Sequence, residues 1–138
     1  MSSEIKPHIV VAACIVSKGY VLITQRTDHL NRGEWELPGG KVLFGEQLGR
    51  ALIREIEEEL DWSVFVVRLL HAQVNYYEDL GDDYLVLYYE CLTEHDREFP
   101  DLPSGVGAVW IGHIDALKQY RCLPGTVEAI SKVLNWER

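Results

Sequence analysis

Apolar and polar positions divide the chain into short, distinct segments. Residues 8–16, HIVVAACIV, form a continuous apolar run rich in valine and isoleucine, the pattern of a buried strand. SKG then marks a turn, and 20–26, YVLITQR, reads as a second strand, so the pair is expected to form a hairpin. TDHLNRGEW is polar and reads as a loop; in ELPGG, Pro38, Gly39 and Gly40 break any helix. From 45 to 60 the spacing is helical. Residues 63–78 are β-prone with alternation toward their end, DLGDD is a turn, and 84–92 is a strand. After a polar, proline-containing loop come a short strand at 107–111, a brief helix in IDALKQY and an amphipathic closing helix at 125–136. Strands and helices mix without strict βαβ alternation, which predicts one α+β or layered α/β/α domain over 1–138.

The 45–60 helix has an unusual charge pattern. Glu55, Glu57, Glu58 and Glu59 crowd together near its end. At about 100° of rotation per residue, Glu55, Glu58 and Glu59 share one face and Glu57 points away. Leu48, Ala51 and Leu52 fall on nearly the same azimuth, so the greasy face of the first half is expected to become a carboxylate face in the second. A solvated acidic face explains Glu57 alone. Like charges beside a core are costly unless cations neutralise them. Oxygen-only clusters of this kind suit Mg²⁺ or Mn²⁺ bridging to substrate phosphates. The preceding Gly39 and Gly40 allow close backbone approach to a ligand, and a glycine carbonyl can add a further hard oxygen. Arg54, beside the stripe, is placed to hold a glutamate by a bidentate pair.

Composition narrows the function classes. The chain has 138 residues, 47% hydrophobic and 25% charged, with a formal net charge of -9. That balance opposes nonspecific binding to nucleic acid or an anionic membrane, but not to an anionic small molecule bridged by cations. Cys14, Cys91 and Cys122 are widely spaced, with no CxxC pair, and read as thiols in a reducing compartment. No basic leader and no run long enough to span a membrane is evident, so the expected location is cytoplasmic.

The segment PGGKVLFGEQLGRALIREIEEELDW resembles the signature of the Nudix hydrolases: G, five residues, E, seven residues, then R-E-apolar-x-E-E-x-G-apolar. The matching residues are Gly40, Glu46, Arg54, Glu55, Ile56, Glu58, Glu59 and Trp62. Asp61 stands where the family usually has glycine; aspartate tolerates the left-handed conformation required there. ITQR, WELPGG, AVWI and the closing helix follow the order of the small MutT-like branch. The resemblance implies an α/β/α sandwich around a mixed sheet and Mg²⁺-dependent hydrolysis of a nucleoside diphosphate linked to a group X. It assigns metal binding to Glu55, Glu58, Glu59 and the Gly39 carbonyl, with Glu46 and Gly40 as outer or structural partners. Arg54 would orient Glu55, and Glu55 or Glu58 would serve as general base.

Substrate residues are less marked. Arg26 is a candidate for phosphate, Trp35 for base stacking together with tyrosines among Tyr76, Tyr77, Tyr84, Tyr88 and Tyr89. Thr126 falls near the position where some relatives read a purine with asparagine; a hydroxyl cannot make an amide's paired contacts, which predicts broad base tolerance. Asp101 is the nearest match to a downstream metal-assisting glutamate. The expected reaction is nucleoside triphosphate to monophosphate and pyrophosphate. A nucleotide-sugar or ADP-ribose pyrophosphatase and a catalytically silent nucleotide-binding module are the alternatives, and the chain would act as a monomer or homodimer.

Overall fold

The computed structural model describes residues 8–26, 33–77, 81–93, 102, 105 and 107–134. Strand β1 (His8–Ser17) turns through Lys18 and Gly19 into β2 (Tyr20–Gln25). Both turn residues have positive φ, 50° and 82°, the geometry that matches the twist of a tight hairpin. Two short strands follow where the sequence pattern gives only loop and turn: β3 (Trp35–Glu36) on β2, and β4 (Gly39–Lys41) on β1. Strands this short carry no hydrophobic period. Backbone pairing alone makes them, and Gly39 is needed because a Cβ there would overlap the Val11 carbonyl.

Helix α1 (Leu48–Leu60) begins three residues later than its periodicity suggests. Gly45, at φ 80°, cannot be helical, and Glu46 folds back to accept the Leu43 N–H at 3.0 Å. At the other end Asp61 does adopt the left-handed conformation, φ 58° and ψ 36°, and its N–H reaches the Glu57 carbonyl. The long strands β5 (Val64–Tyr77) and β6 (Asp82–Thr93) pair antiparallel; β7 (Ala108–Ile111) pairs with β2. A 3₁₀ helix at Ile114–Gln119 matches the expected brief helix.

The closing helix is shorter than its amphipathic pattern predicts: α2 covers only Thr126–Ile130. Beyond it the Ser131 hydroxyl bonds the Glu128 carbonyl at 2.7 Å, and Lys132 and Val133 reach back three residues rather than four. Such local side-chain bonding competes with a regular helical ladder.

The main strand order is β3-β2-β1-β6-β5, with β4 on β1 and β7 on β2. The β1–β6 pairing is parallel, the other strand pairings among these elements antiparallel, so the sheet is mixed. Alternate residues of β1 feed two cores. Val11, Ala13 and Ile15 pack with Ala51, Leu52, Ile56 and Leu60 of α1. Ala12 and Cys14 pack on the other face with Ile114, Leu117, Ala129 and Ile130. This double burial explains the unbroken apolar run of β1 and makes the domain a three-layer α/β/α sandwich. Each buried leucine or isoleucine contributes about 1.5–3 kcal/mol.

Candidate active site

The buried stripe of α1 is Ala51, Leu52, Ile56 and Leu60. Counting about 100° per residue, Glu59 lies roughly 60° from Ile56, Glu55 roughly 100° and Glu58 roughly 160°. Measured from Ala51 and Leu52 the offsets are smaller: Glu55 and Glu59 fall between those two azimuths and Glu58 about 20° outside Ala51, so the carboxylates continue that edge of the buried face. Glu55 is partly buried, with 17% of its side chain exposed, against 59% for Glu58. Glu57 is exposed, as expected.

One guanidinium organises this edge. Arg54 grips Glu46 with two nitrogens, Nε at 2.7 Å and Nη2 at 2.9 Å. Its Nη1 donates to Glu55 at 2.9 Å and Glu58 at 3.2 Å, and Nη2 also reaches the Lys41 carbonyl at 3.0 Å. Three carboxylates share a single cation. The Arg54 bonds, reinforced by the Leu43 N–H, lower the Glu46 pKa from 4.5 to about 2. The same bond to Glu46 raises the pKa of Arg54 further.

Strand β4 meets the carboxylates at the glycine pair. The Glu55 carboxylate lies where a Gly40 Cβ would stand. The Gly39 N–H donates to Glu59 at 3.3 Å. Although Glu59 is an exposed residue by surface area, the protein around its carboxylate raises its pKa from 4.5 to about 7. Loss of solvation is the main cause; Glu36 and then Glu55 add repulsion, while the Gly39 N–H and Arg26 oppose it.

Beside β4 a cavity of about 250 Å³ crosses β4, β1, β6 and β5. At β4 it is lined by Gly39, Gly40 and Lys41, the Lys41 ammonium standing 5.8 Å from the Tyr84 ring centroid, and at its far end on β5 by Tyr77. Arg26, Glu36, Tyr88, Leu123, Pro124 and Thr126 complete the lining, and the Leu123 N–H bonds the Trp35 carbonyl beside Glu36. Arg26 Nη1 donates to Glu36 at 3.1 Å. Thr126 is 2% exposed. Of the residues expected to meet substrate, Arg26 and Thr126 line the cavity and Trp35 does not. Its indole packs edge-on against Tyr120, with ring centroids 5.0 Å apart. Asp101 lies outside the described residues. Strand alternation sorts the tyrosines: Tyr84 and Tyr88 face the cavity, Tyr89 packs on the α1 side, and Tyr76 is 61% exposed. Sequence reading passed over Glu36 and Lys41. Glu36 directly precedes the LPGG turn, and its pairing, as part of β3, with Thr24 of β2 is the feature that aims it at the site.

The donor set fits a hard divalent cation: every side-chain ligand offered is a carboxylate oxygen, negative charge exceeds the one Arg54, and Glu59 resists ionisation without added positive charge. Among the described residues no three such side chains yet converge as a ligand cluster. Glu55 and Glu58 each give one oxygen, Oε1, to Arg54.

Comparison with known proteins identifies the family. The NUDIX domain model matches residues 6–129. An 8-oxo-dGTP diphosphatase of Proteus vulgaris is 31% identical over 116 residues, covering 83% of this chain and 97% of that protein. A protein named as a nudix hydrolase in Caenorhabditis elegans is 39% identical over 69 residues, but the match spans only 19% of its length. The structure of a MutT NUDIX hydrolase from Burkholderia pseudomallei superposes with a TM-score of 0.75 at 29% identity, over 93% of this chain and 98% of that one. With the domain match over residues 6–129 and a relative 31% identical along nearly its whole length, this chain belongs to the Nudix hydrolase family.

Proposed function

We propose that the chain hydrolyses nucleoside triphosphates to monophosphate and pyrophosphate. The observation that carries this reading is the meeting of the α1 carboxylates with the Gly39–Gly40 backbone at one end of a cavity that Tyr77, Tyr84 and Tyr88 also line. A polyanion is suited to the carboxylate and glycine groups and a flat base to the tyrosine rings. Glu55, Glu58 and Glu59 would hold the divalent cation, Mg²⁺ or Mn²⁺. Such an ion supplies positive charge to the diphosphate and to the attacking water. Arg54 holds Glu55 and Glu58 in reach and keeps Glu46 ionised as a fixed anchor. Glu55 Oε receives the proton of the attacking water, with Glu58 as the competing acceptor. Arg26, at the cavity wall, meets phosphate oxygens.

Base tolerance is supported by the tyrosine lining. Tyrosine faces stack on any base, and the Thr126 hydroxyl reads base edges poorly compared with an amide. The chemistry of 8-oxo-dGTP attributed to the Proteus vulgaris relative sits within such a range. The test is a comparison of kcat/KM over ordinary and oxidised triphosphates, ADP-ribose and nucleotide sugars with Mg²⁺ or Mn²⁺ added, products being identified as pyrophosphate or phosphate. Activity confined to ADP-ribose or a nucleotide sugar would overturn the triphosphate reading, and about a thousandfold preference for one modified purine would overturn the tolerance.

A further inference from the structure

At its far end the cavity is backed by a row of polar side chains on β5. His71, Gln73, Asn75 and Tyr77 alternate along the strand and face one way. His71 Nε2 lies 2.6 Å from Gln73 Oε1, and Gln73 Nε2 donates to Asn75 Oδ1 at 2.5 Å. Asn75 Nδ2 donates to the Pro124 carbonyl at 3.2 Å, with Tyr77 Oη at 3.2 Å and Tyr88 Oη at 3.4 Å also in reach. Tyr88 Oη donates to the same Pro124 carbonyl at 3.0 Å.

The direction of the row follows from its last member. A proline carbonyl only accepts, so the Asn75 amide must present its NH₂ to it. That turns Asn75 Oδ1 toward Gln73 and Gln73 Oε1 toward a protonated His71 Nε2. The His71 ring also stacks on Tyr88, centroids 5.5 Å apart. Gly125, at φ 91°, presses so close to Tyr88 that a Cβ would overlap the phenol oxygen. The turn bearing Pro124, Gly125 and Thr126 is thus docked on the sheet by two hydrogen bonds to one carbonyl and one close backbone contact.

Asn75 itself is only 4% exposed and does not line the cavity, whereas Tyr88, Pro124 and Thr126 do. Burying an amide is unfavourable unless it is bonded, and apolar residues at alternate positions would fill the same sheet face at lower cost. Here the buried amide is aimed at a carbonyl of the cavity wall. Adjacent strands are about 4.8 Å apart, so Asn75 on β5 stands three strand spacings, roughly 14 Å, from β4. Its bond to the Pro124 carbonyl is its link to the cavity wall.

We propose that Asn75 is a positioning residue for nucleotide affinity: through the Pro124 carbonyl it sets where the Pro124–Thr126 wall stands against the nucleoside, and it leaves the phosphate chemistry untouched. This rests on the reading that the tyrosine rings of the cavity take the nucleoside. The variants are Asn75→Leu, which keeps the side chain's bulk and removes its bonds, and Asn75→Thr, a strand-compatible side chain too short to reach the Pro124 carbonyl.

Three quantities are measured on the full chain with Mg²⁺: kcat and KM for a nucleoside triphosphate, binding of a nucleoside monophosphate by direct titration, and inhibition by inorganic pyrophosphate. KM and the monophosphate dissociation constant should rise about tenfold, while kcat and the pyrophosphate inhibition constant stay within about twofold. Unchanged monophosphate affinity in the variants, or an equal loss for pyrophosphate and kcat, overturns the assignment. Should Asn75→Leu not fold, Asn75→Thr decides by the same split. If the wild-type chain cleaves no triphosphate, the hydrolysis reading fails on its own, and the monophosphate titration still reports on the wall.

Discussion

Glu57 and Glu59 are two residues apart on one helix and have opposite roles. Glu57 faces solvent, while Glu59 takes the Gly39 N–H and has its pKa raised to about 7. Glu59→Gln should lower kcat by about a hundredfold or more, within the range for a lost ligand or proton-transfer group, and Glu57→Gln should leave it unchanged; steady-state kinetics at saturating Mg²⁺ checks both. Glu46 gives a pH prediction. Its folded pKa of about 2 lies below the ordinary 4.5, so its contribution to stability is full above about 4.5 and is lost as pH falls toward 2. Glu46→Gln should therefore be less stable than wild type at neutral pH, with the gap closing on acidification, as read from denaturant midpoints across that window. The glutamates were legible because fixed offsets on a helix determine which side chains meet. Glu36 was not, because its approach to Glu59 depends on the pairing of β3 with β2, which no local pattern encodes.

At the scale of elements, β4 shows how three residues position a site. Gly39 and Gly40 are adjacent and both crowded, but against different neighbours. A side chain at Gly39 meets the Val11 backbone, which cannot move without opening β4 from β1; one at Gly40 meets the movable carboxylate of Glu55. Gly39→Ala should cost about 1–3 kcal/mol of stability or more, as overpacking does. Gly40→Ala should lose activity with a much smaller change in denaturant midpoint. A similar stability loss in both would show that Glu55 is as rigid as the strand. The long elements β1, β2, α1, β5 and β6 were readable from their periods, since burial on one or two faces repeats often enough to be seen. The β3 and β4 pairs were not, being shorter than any period, and α2 was overextended because an amphipathic pattern does not register the Ser131 hydroxyl turning back to Glu128.

For the whole molecule, the net charge of -9 and the clustered carboxylates set the response to cations. A divalent cation that binds the native chain alone would stabilise it by mass action, about 2.7 kcal/mol at a hundredfold excess over Kd. Tm should rise with metal concentration at fixed ionic strength, and the Glu59→Gln variant should show a smaller rise. An equal rise in both would place the binding elsewhere. No helix among the described residues is long and apolar enough to cross a membrane.

The parallel pairing of β1 with β6 also governs how the chain reaches this state. It runs from His8 against Tyr84 to Val16 against Leu92, joining the first described strand to one far along the chain. Non-local contacts are slow to form because loop closure precedes their reward. On a ribosome, β1 and its hairpin emerge long before their central partner, with apolar residues destined for both cores still open to water. The glycine strand and α1 are synthesised in that interval as well, so the cavity floor closes only once β6 has been made. Chaperone dependence during synthesis, and refolding slower than that of a helical bundle of equal length, are the expected costs of building a site on that central pair.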